Sequence, residues 1–468
     1  MLGEPIPSNT EHAISVSLPT WRSNVGYEEN EDWVVSKMMT GFFIHPEIKA
    51  LERTILDKGG SLEEACVTGT AQEVSNSSTN EDMGIHGFVE LRYGRNLGSA
   101  AIQQAKLAIK QRISGIVCPG EPVTGENTSL ISTRKLSAND VYLFPTGMSA
   151  IFNAYRIIRS CFGSMKMVEF GFPYLDTLKV LQKFGDGCIF FGDGGEGDIN
   201  QLEALLESGE RIAGLFCEFP SNPLLKSPNL SRLRELADIY KFVIVVDETI
   251  GNFINVDVIP YADILVSSLT KIFSGDSNVM GGSCIINPNM PYYKQLTDMA
   301  TDILEDNYWA EDVIFMERNS RDFASRVFRI NKNAEALAEL FLKWQPTIVK
   351  RVYYPKYDES RENYERCRCK EGGYGGLLSI TFSSPDHAIK FYDLVETAKG
   401  PSLGTNFTLT SPYALLAHYK ELDWIAQYGV ESHLIRISVG LEEPEPLLLK
   451  FESALRQLVH SGLPEASN

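Results

Sequence analysis

Phe242-Val-Ile-Val-Val-Asp-Glu-Thr249 and, further on, Ile264-Leu-Val-Ser-Ser-Leu-Thr-Lys271 are short apolar runs that each break off into polar residues. Runs of this length, rich in Val and Ile, read as strands buried on both faces, as in a parallel sheet covered by helices. The rhythm extends outward in both directions. Val141–Phe144, Lys166–Phe170, Ile189–Phe191, Ala213–Cys217 and Ser283–Ile286 are further runs, separated by longer amphipathic stretches. That alternation predicts an α/β domain with a mostly parallel sheet. Ligands of such sheets gather beyond the carboxyl ends of the strands, so the residues just after the runs are the candidates for a site.

Four of those ends carry chemistry that belongs together. The run at Phe242 ends in Asp247, placed to pair with a buried cationic ring nitrogen. The run at Ile264 leads through Ser268 and Thr270, whose hydroxyls suit phosphate oxygens, to the amine of Lys271. After Val141–Phe144 come Thr146, Gly147, Met148 and Ser149 at the start of a helical pattern, where free backbone N–H groups and the helix dipole favour an anion. After Ala213–Cys217, Asn222 offers an amide to a ring oxygen. Singly, Lys271 reads as a solvated amine, Asp247 as a helix cap and Thr146-Gly147 as a turn. Jointly, at successive strand ends, they match one ligand: pyridoxal phosphate (PLP), with its aldehyde, ring nitrogen, ring oxygen and phosphate.

Around this block the chain divides into three expected parts. Residues 1–98 are irregular and read as an N-terminal arm, with a solvated loop at Ser75 to Asp82. Residues 99–320 form the large domain, opened by a helical pattern from Ser99 to about Ile113. A long helical pattern from Asp312 to Lys343 connects to a smaller α+β domain, 321–468, in which Gly376–Phe382 and Leu434–Ser438 read as strands and Ser384–Val395 and Pro446–Leu458 as helices.

The chain has 468 residues, 43% hydrophobic and 22% charged, with a formal net charge of −18. The negative balance disfavours nucleic acid as a partner, since phosphate backbones call for a Lys/Arg surplus. Eight scattered cysteines fit a reducing compartment better than a disulfide scaffold. Cys367 and Cys369, one residue apart and without a second pair, read as loop thiols, and no metal site is expected. Met1 to Trp21 lacks the pattern of a signal peptide, and no run approaches the roughly 20 apolar residues of a membrane span. A cytoplasmic enzyme acting on a small molecule is the expectation.

The strand-end residues lie within motifs that resemble the Cys/Met-metabolism PLP enzymes, from about Leu91 to Leu447. Glu218-Phe-Pro-Ser-Asn-Pro223 is similar to that family's Glu-Thr-Pro-Ser-Asn-Pro, Asp247-Glu-Thr249 to its Asp-Asn-Thr, Ser268-Leu-Thr-Lys271 to its Ser-x-Thr-Lys, and Gly147-Met148 to its phosphate turn. Tyr174-Leu-Asp-Thr177 keeps the tyrosine and threonine of Tyr-Gly-Gly-Thr. Tyr93-Gly-Arg95 resembles the arm that reaches a neighbouring subunit's phosphate, and Arg436-Ile-Ser-Val-Gly440 the segment whose arginine grips a substrate carboxylate.

The resemblance implies an aminotransferase-like large domain of fold type I and a homodimer or homotetramer with shared active sites. It implies Lys271 as the Schiff-base lysine, Asp247 at the ring nitrogen and Tyr174 stacked on the ring. Tyr93, Arg95, Gly147, Met148, Asn222, Thr249, Ser268 and Thr270 complete the cofactor site, and Ser402 and Arg436 bind substrate. The implied reaction is γ-replacement on an O-activated L-homoserine with a thiol nucleophile. One departure bears on this. Where much of the family reads Glu-Ser-Leu-Gly-Gly-Val-Glu-Ser-Leu, this chain reads Pro401-Ser-Leu-Gly-Thr-Asn-Phe-Thr-Leu409, without either glutamate. The run is similar to the fungal branch of the cystathionine γ-synthases. A pocket without those carboxylates leaves open a carbon nucleophile, the enolate of a ketone or β-ketoacid, as well as a γ-lyase outcome.

Overall fold

The computed structural model describes residues 99–117 and 136–460. Seven strands form the larger sheet, in the order β1-β7-β6-β5-β4-β2-β3. They are β1 (Val141–Phe144), β2 (Lys166–Phe170), β3 (Cys188–Phe191), β4 (Ile212–Glu218), β5 (Val243–Asp247), β6 (Ile264–Ser268) and β7 (Gly282–Ile286). Every expected strand is there, with ends moved by a residue or two. All neighbours pair in parallel except β7, which runs antiparallel to both β6 and β1. The chain turns back directly from Lys271 into β7, with no helix to carry it across the sheet.

The apolar runs are explained by two cores, one on each face. Along β5, Ile244 and Val246 point into one core and Val243 and Val245 into the other. In β6, Leu265 faces the first while Ile264 and Val266 face the second. Each such side chain, fully buried, contributes about 1.5–3 kcal/mol. A helix from Ser99 to Val117, α1, adds Ala105, Ile109 and Ile113 to the first core. A second helix, α2 (Gly147–Phe162), puts Ala150, Ile151, Ala154, Ile157 and Ile158 into the other.

The long helical pattern is two helices, Ala310–Asn319 and Phe323–Leu342. The break has a local cause. Ser320 Oγ donates back to the Met316 carbonyl at 2.7 Å, sharing it with the Ser320 N–H, and the Asn319 carbonyl, a next acceptor of the ladder, is taken by Arg326 Nη2 at 2.9 Å.

The second sheet has five strands in the order β10-β11-β12-β9-β8. These are β8 (Val349–Tyr353), β9 (Leu377–Phe382), β10 (Ala398–Lys399), β11 (Leu409–Pro412) and β12 (Ile435–Ser438). Helices Pro385–Leu394 and Pro444–His460 cover it, giving the smaller α+β layer its own core around Phe341, Phe382, Phe391 and Phe451. Among the described residues no helix is long and apolar enough to cross a membrane. Cys367 closes a short helix, Arg361–Cys367, where a loop was expected.

Candidate active site

Parallel pairing brings the carboxyl ends of β4, β5 and β6 to one rim. Glu218 lies opposite Asp247 and Asp247 opposite Val266. Because β7 is antiparallel to both β6 and β1, the end of β1 reaches the same rim. There α2 begins, capped by Thr146, whose Oγ1 accepts from the Ser149 N–H at 3.0 Å. Gly147 sits so close to β6 that a Cβ on it would lie 2.7 Å from that of Ser268. The absence of a side chain is what lets the turn and the lysine strand meet.

The carboxylates at this rim are short of positive charge. Asp247 Oδ1 accepts from both the backbone N–H of Thr249 at 2.9 Å and its hydroxyl at 2.6 Å. Among the described residues Oδ2 has no such partner. Burial pushes the Asp247 carboxyl up, and the two Thr249 bonds pull it back only partly. Burial and the neighbouring Asp247 push Glu218 up to about 8. Glu169, fully buried behind them, is driven well above the carboxylate range by desolvation, then by Glu218 and Asp247. A cationic group bound here would supply the charge this row lacks, and the protonated ring nitrogen of PLP is such a group, so the donor set fits PLP.

Thr249 acts through its neighbours: its hydroxyl donates to Asp247 and accepts the Ser268 N–H at 2.8 Å. The Thr270 hydroxyl is likewise engaged within the protein, donating to the Gly281 carbonyl at 3.2 Å and accepting its N–H at 3.1 Å. Tyr174 stands at the start of the helix Leu175–Lys183 and is 46% exposed. Its backbone N–H is held by Glu218 Oε1 at 2.5 Å, and Glu218 Oε2 accepts from the Asn222 N–H at 3.1 Å. One half-buried carboxylate thus fixes two of the candidate residues.

Lys271 Nζ donates to Ser402 Oγ at 3.1 Å. Burial, and then the Arg436 guanidinium, lower its amine to about 8, so its neutral form, still the minority near physiological pH, is far more abundant than for a free lysine. Ser402 belongs to the loop Pro401–Thr408 of the small domain, which packs directly on the lysine: a Cβ on Gly404 would come within 2.8 Å of that of Lys271. Gly404 also has a φ of +71°, a conformation that other residues adopt with strain.

Arg436, on β12, is 3% exposed. Its Nη1 donates to Asn222 Oδ1 at 3.0 Å, and its Nη2 to the carbonyls of Pro401 and of Ser402, the latter at 3.0 Å. Burial lowers it to about 10, leaving it charged at neutral pH.

The structure therefore brings Gly147, Asn222, Asp247, Ser268, Lys271, Ser402 and Arg436 into one connected region; Met148 follows Gly147 in the first turn of α2. Tyr93 and Arg95 lie outside the described residues. Two contributors escaped the sequence. Tyr413 places its ring 4.6 Å from the Arg436 guanidinium carbon; its only local signal is an aromatic after Pro412 that opens the short apolar run Tyr413-Ala-Leu-Leu-Ala417. Arg326 binds the carbonyls of Ile272 and Phe273 and the Asn406 side chain, tying the segment after Lys271 to the loop of Ser402. As one arginine on an amphipathic helix, it gave no sign of this.

The family model for Cys/Met metabolism PLP-dependent enzymes matches residues 133–456. The cystathionine gamma-synthase of Neurospora crassa is 43% identical across 97% of this chain and 98% of its own. The cystathionine gamma-synthase-like enzyme iboG2 of Amanita muscaria is 38% identical across 97% and 96%. The crystal structure of cystathionine gamma synthase from Xanthomonas oryzae pv. oryzae in complex with cystathionine shares the fold, with a TM-score of 0.59 at 20% identity over 76% of this chain and 99% of that one. With the matched segment spanning every strand of both sheets, this chain belongs to the Cys/Met metabolism PLP-dependent enzyme family.

Proposed function

We propose that the chain catalyses γ-replacement on an O-activated L-homoserine, such as O-acetyl-L-homoserine, with a thiol as nucleophile. The carrying observation is a lowered Lys271 amine at one rim with Asp247 and Arg436, in a chain similar over nearly its whole length to cystathionine gamma-synthases. In this reading Lys271, Asp247, Asn222, Tyr174, Gly147, Met148 and Ser268 hold PLP, which when bound supplies an electron sink for charge developing on the substrate carbons. Asp247, oriented by Thr249, keeps the ring nitrogen protonated.

The substrate's carboxylate exchanges with the Pro401 and Ser402 carbonyls on the Arg436 fork, which fixes its orientation through parallel N–H bonds. Lys271 then works as base and acid: its neutral amine takes the Cα proton and later returns it. Having handed the first proton on, the same amine takes a second from Cβ, the Cγ–O bond breaks with its electron pair on the departing carboxylate, the Cγ–S bond forms, and the Cβ proton is given back before the one at Cα. The thiol's proton leaves with the products. Ser402, within hydrogen-bond reach of Lys271 Nζ, steadies the amine between these transfers.

A second reading rests on the loop that packs against Lys271. Between Pro401 and Leu409 there is no carboxylate to grip the amino group of an incoming cysteine, and Phe407 and Thr405 are buried. Such a pocket also accommodates a ketone or β-ketoacid enolate. The thiol reading predicts a higher kcat/KM for cysteine than for acetoacetate, both with O-acetylhomoserine, because this ratio compares transition-state binding. A preference of tenfold or more for acetoacetate, on the order of 1.4 kcal/mol, would assign carbon–carbon bond formation instead.

Tyr93 and Arg95 complete the phosphate site of a neighbouring subunit in this proposal, so the working unit is a homodimer or homotetramer. Mixing inactive Arg95→Ala and Lys271→Ala variants should restore activity, up to about a quarter of wild type in a randomly assorted dimer with independent sites. A fully active monomer in sedimentation assays contradicts sharing.

A further inference from the structure

Arg436 has only donors, so the Asn222 atom facing its Nη1 at 3.0 Å has to be the carbonyl Oδ1. That assigns the other end of the amide. Nδ2 points at the Tyr413 hydroxyl, 3.3 Å away, and as Nδ2 can only donate, the hydroxyl accepts. The phenol's own proton is then directed to His418 Nε2, also at 3.3 Å. This nitrogen must be unprotonated, which places the ring proton on Nδ1, facing Glu421 Oε2 at 3.5 Å. A charge on Arg436 thus dictates every donor and acceptor out to His418.

The surroundings suit such a chain. Tyr413 is 4% exposed and His418 2%, and the rings of Phe172 and Trp424 lie beside the imidazole, with centroids 5.6 and 6.4 Å away. Burial depresses His418 below the usual imidazole range, in keeping with a neutral ring. An aromatic needed only for packing, or only for its face against Arg436, has no use for a hydroxyl here. A buried hydroxyl is costly unless bonded, and this one is bonded on both sides.

We propose that Tyr413 and His418 are positioning residues for the substrate carboxylate: the Tyr413 hydroxyl, oriented by His418, locks the Asn222 amide that aims the Arg436 fork. This rests on the reading that Arg436 receives the carboxylate. Tyr413→Phe keeps the ring against the guanidinium but releases Nδ2 of Asn222. The fork then keeps its charge and loses its aim.

The test is an absorbance titration of PLP-loaded enzyme with L-norleucine and with L-norleucinamide, neither of which has a γ-leaving group, so the outcome does not depend on γ-replacement. Tyr413→Phe should raise the Kd for norleucine roughly tenfold, the loss expected for one buried hydrogen-bond link, and leave that for the amide unchanged. His418→Phe should do the same, the double variant should be no worse than either, and His418→Gln, whose amide oxygen accepts from Tyr413, should recover most of the affinity. Equal changes for acid and amide, or no change in folded Tyr413→Phe, overturn the proposal. If that variant does not fold, the His418 pair decides, and indistinguishable Phe and Gln variants overturn it. A wild-type enzyme with no preference for the acid removes the carboxylate role of Arg436 and the proposal with it, whereas failure of γ-replacement alone shows only in product analysis.

Discussion

Lys271→Ala should lower turnover by at least roughly 10³-fold, within the range attributed to a positioned general acid–base, while leaving the fold intact. Arginine should not rescue it, since a guanidinium stays protonated and cannot accept the Cα proton. Single-turnover assays with circular dichroism as a folding control measure both. The same residue gives a pH dependence with a definite sign. Only the neutral amine attacks an aldehyde, and burial together with Arg436 brings the amine from 10.5 down to about 8. Uptake of PLP by cofactor-free enzyme should therefore accelerate as pH rises through about 8 and level off above it. Arg436→Gln removes the nearby positive charge and should move the midpoint upward. A wild-type midpoint near 10.5 contradicts the assigned environment.

Asp247→Ala should weaken PLP binding by about 3–5 kcal/mol, the typical cost of leaving a buried charge without its partner, or on the order of a hundredfold to several thousandfold in Kd. Equilibrium dialysis reads this directly, without any turnover. Asp247→Asn separates shape from charge: its amide preserves the size and can still accept from Thr249, yet carries no negative charge for the ring nitrogen. The asparagine variant should bind PLP better than the alanine variant and remain nearly as inactive. Near-normal turnover in either one removes the electron-sink role.

The larger sheet was legible because its central strands are buried on both faces, so that β5 appears as the unbroken apolar run Phe242-Val-Ile-Val-Val246 bounded by Lys241 and Asp247. The smaller sheet was half legible for the same physical reason. β9 (Leu377–Phe382) is buried along its whole length, whereas β8 carries Lys350 and Arg351 in its middle and β11 ends in a proline, a residue that periodicity assigns to loops. The two-residue β10 is too short to leave any pattern.

In the site, strand-end residues could be read because topology puts such ends together whatever the helices do. Asp247, Ser268 and Lys271 follow from that rule. Tyr413 and Arg326 do not: their roles depend on contacts with Asn222, Arg436, Ile272 and Asn406, far away in sequence. Thr249 and Thr270 show the converse limit. Sequence supplies a hydroxyl near the phosphate turn, but only the packed backbone reveals that one holds Asp247 and the other Gly281.

Incubating purified, PLP-loaded enzyme with O-acetyl-L-homoserine, with and without cysteine, and identifying products by mass tests the central claim most directly. The account predicts that cysteine yields a product in which the homoserine carbon chain and its amino group persist, joined through sulfur at Cγ, with acetate released in equal amount. Formation of 2-oxobutyrate and ammonia at the same rate whether or not the thiol is present would contradict it and make the enzyme a γ-lyase.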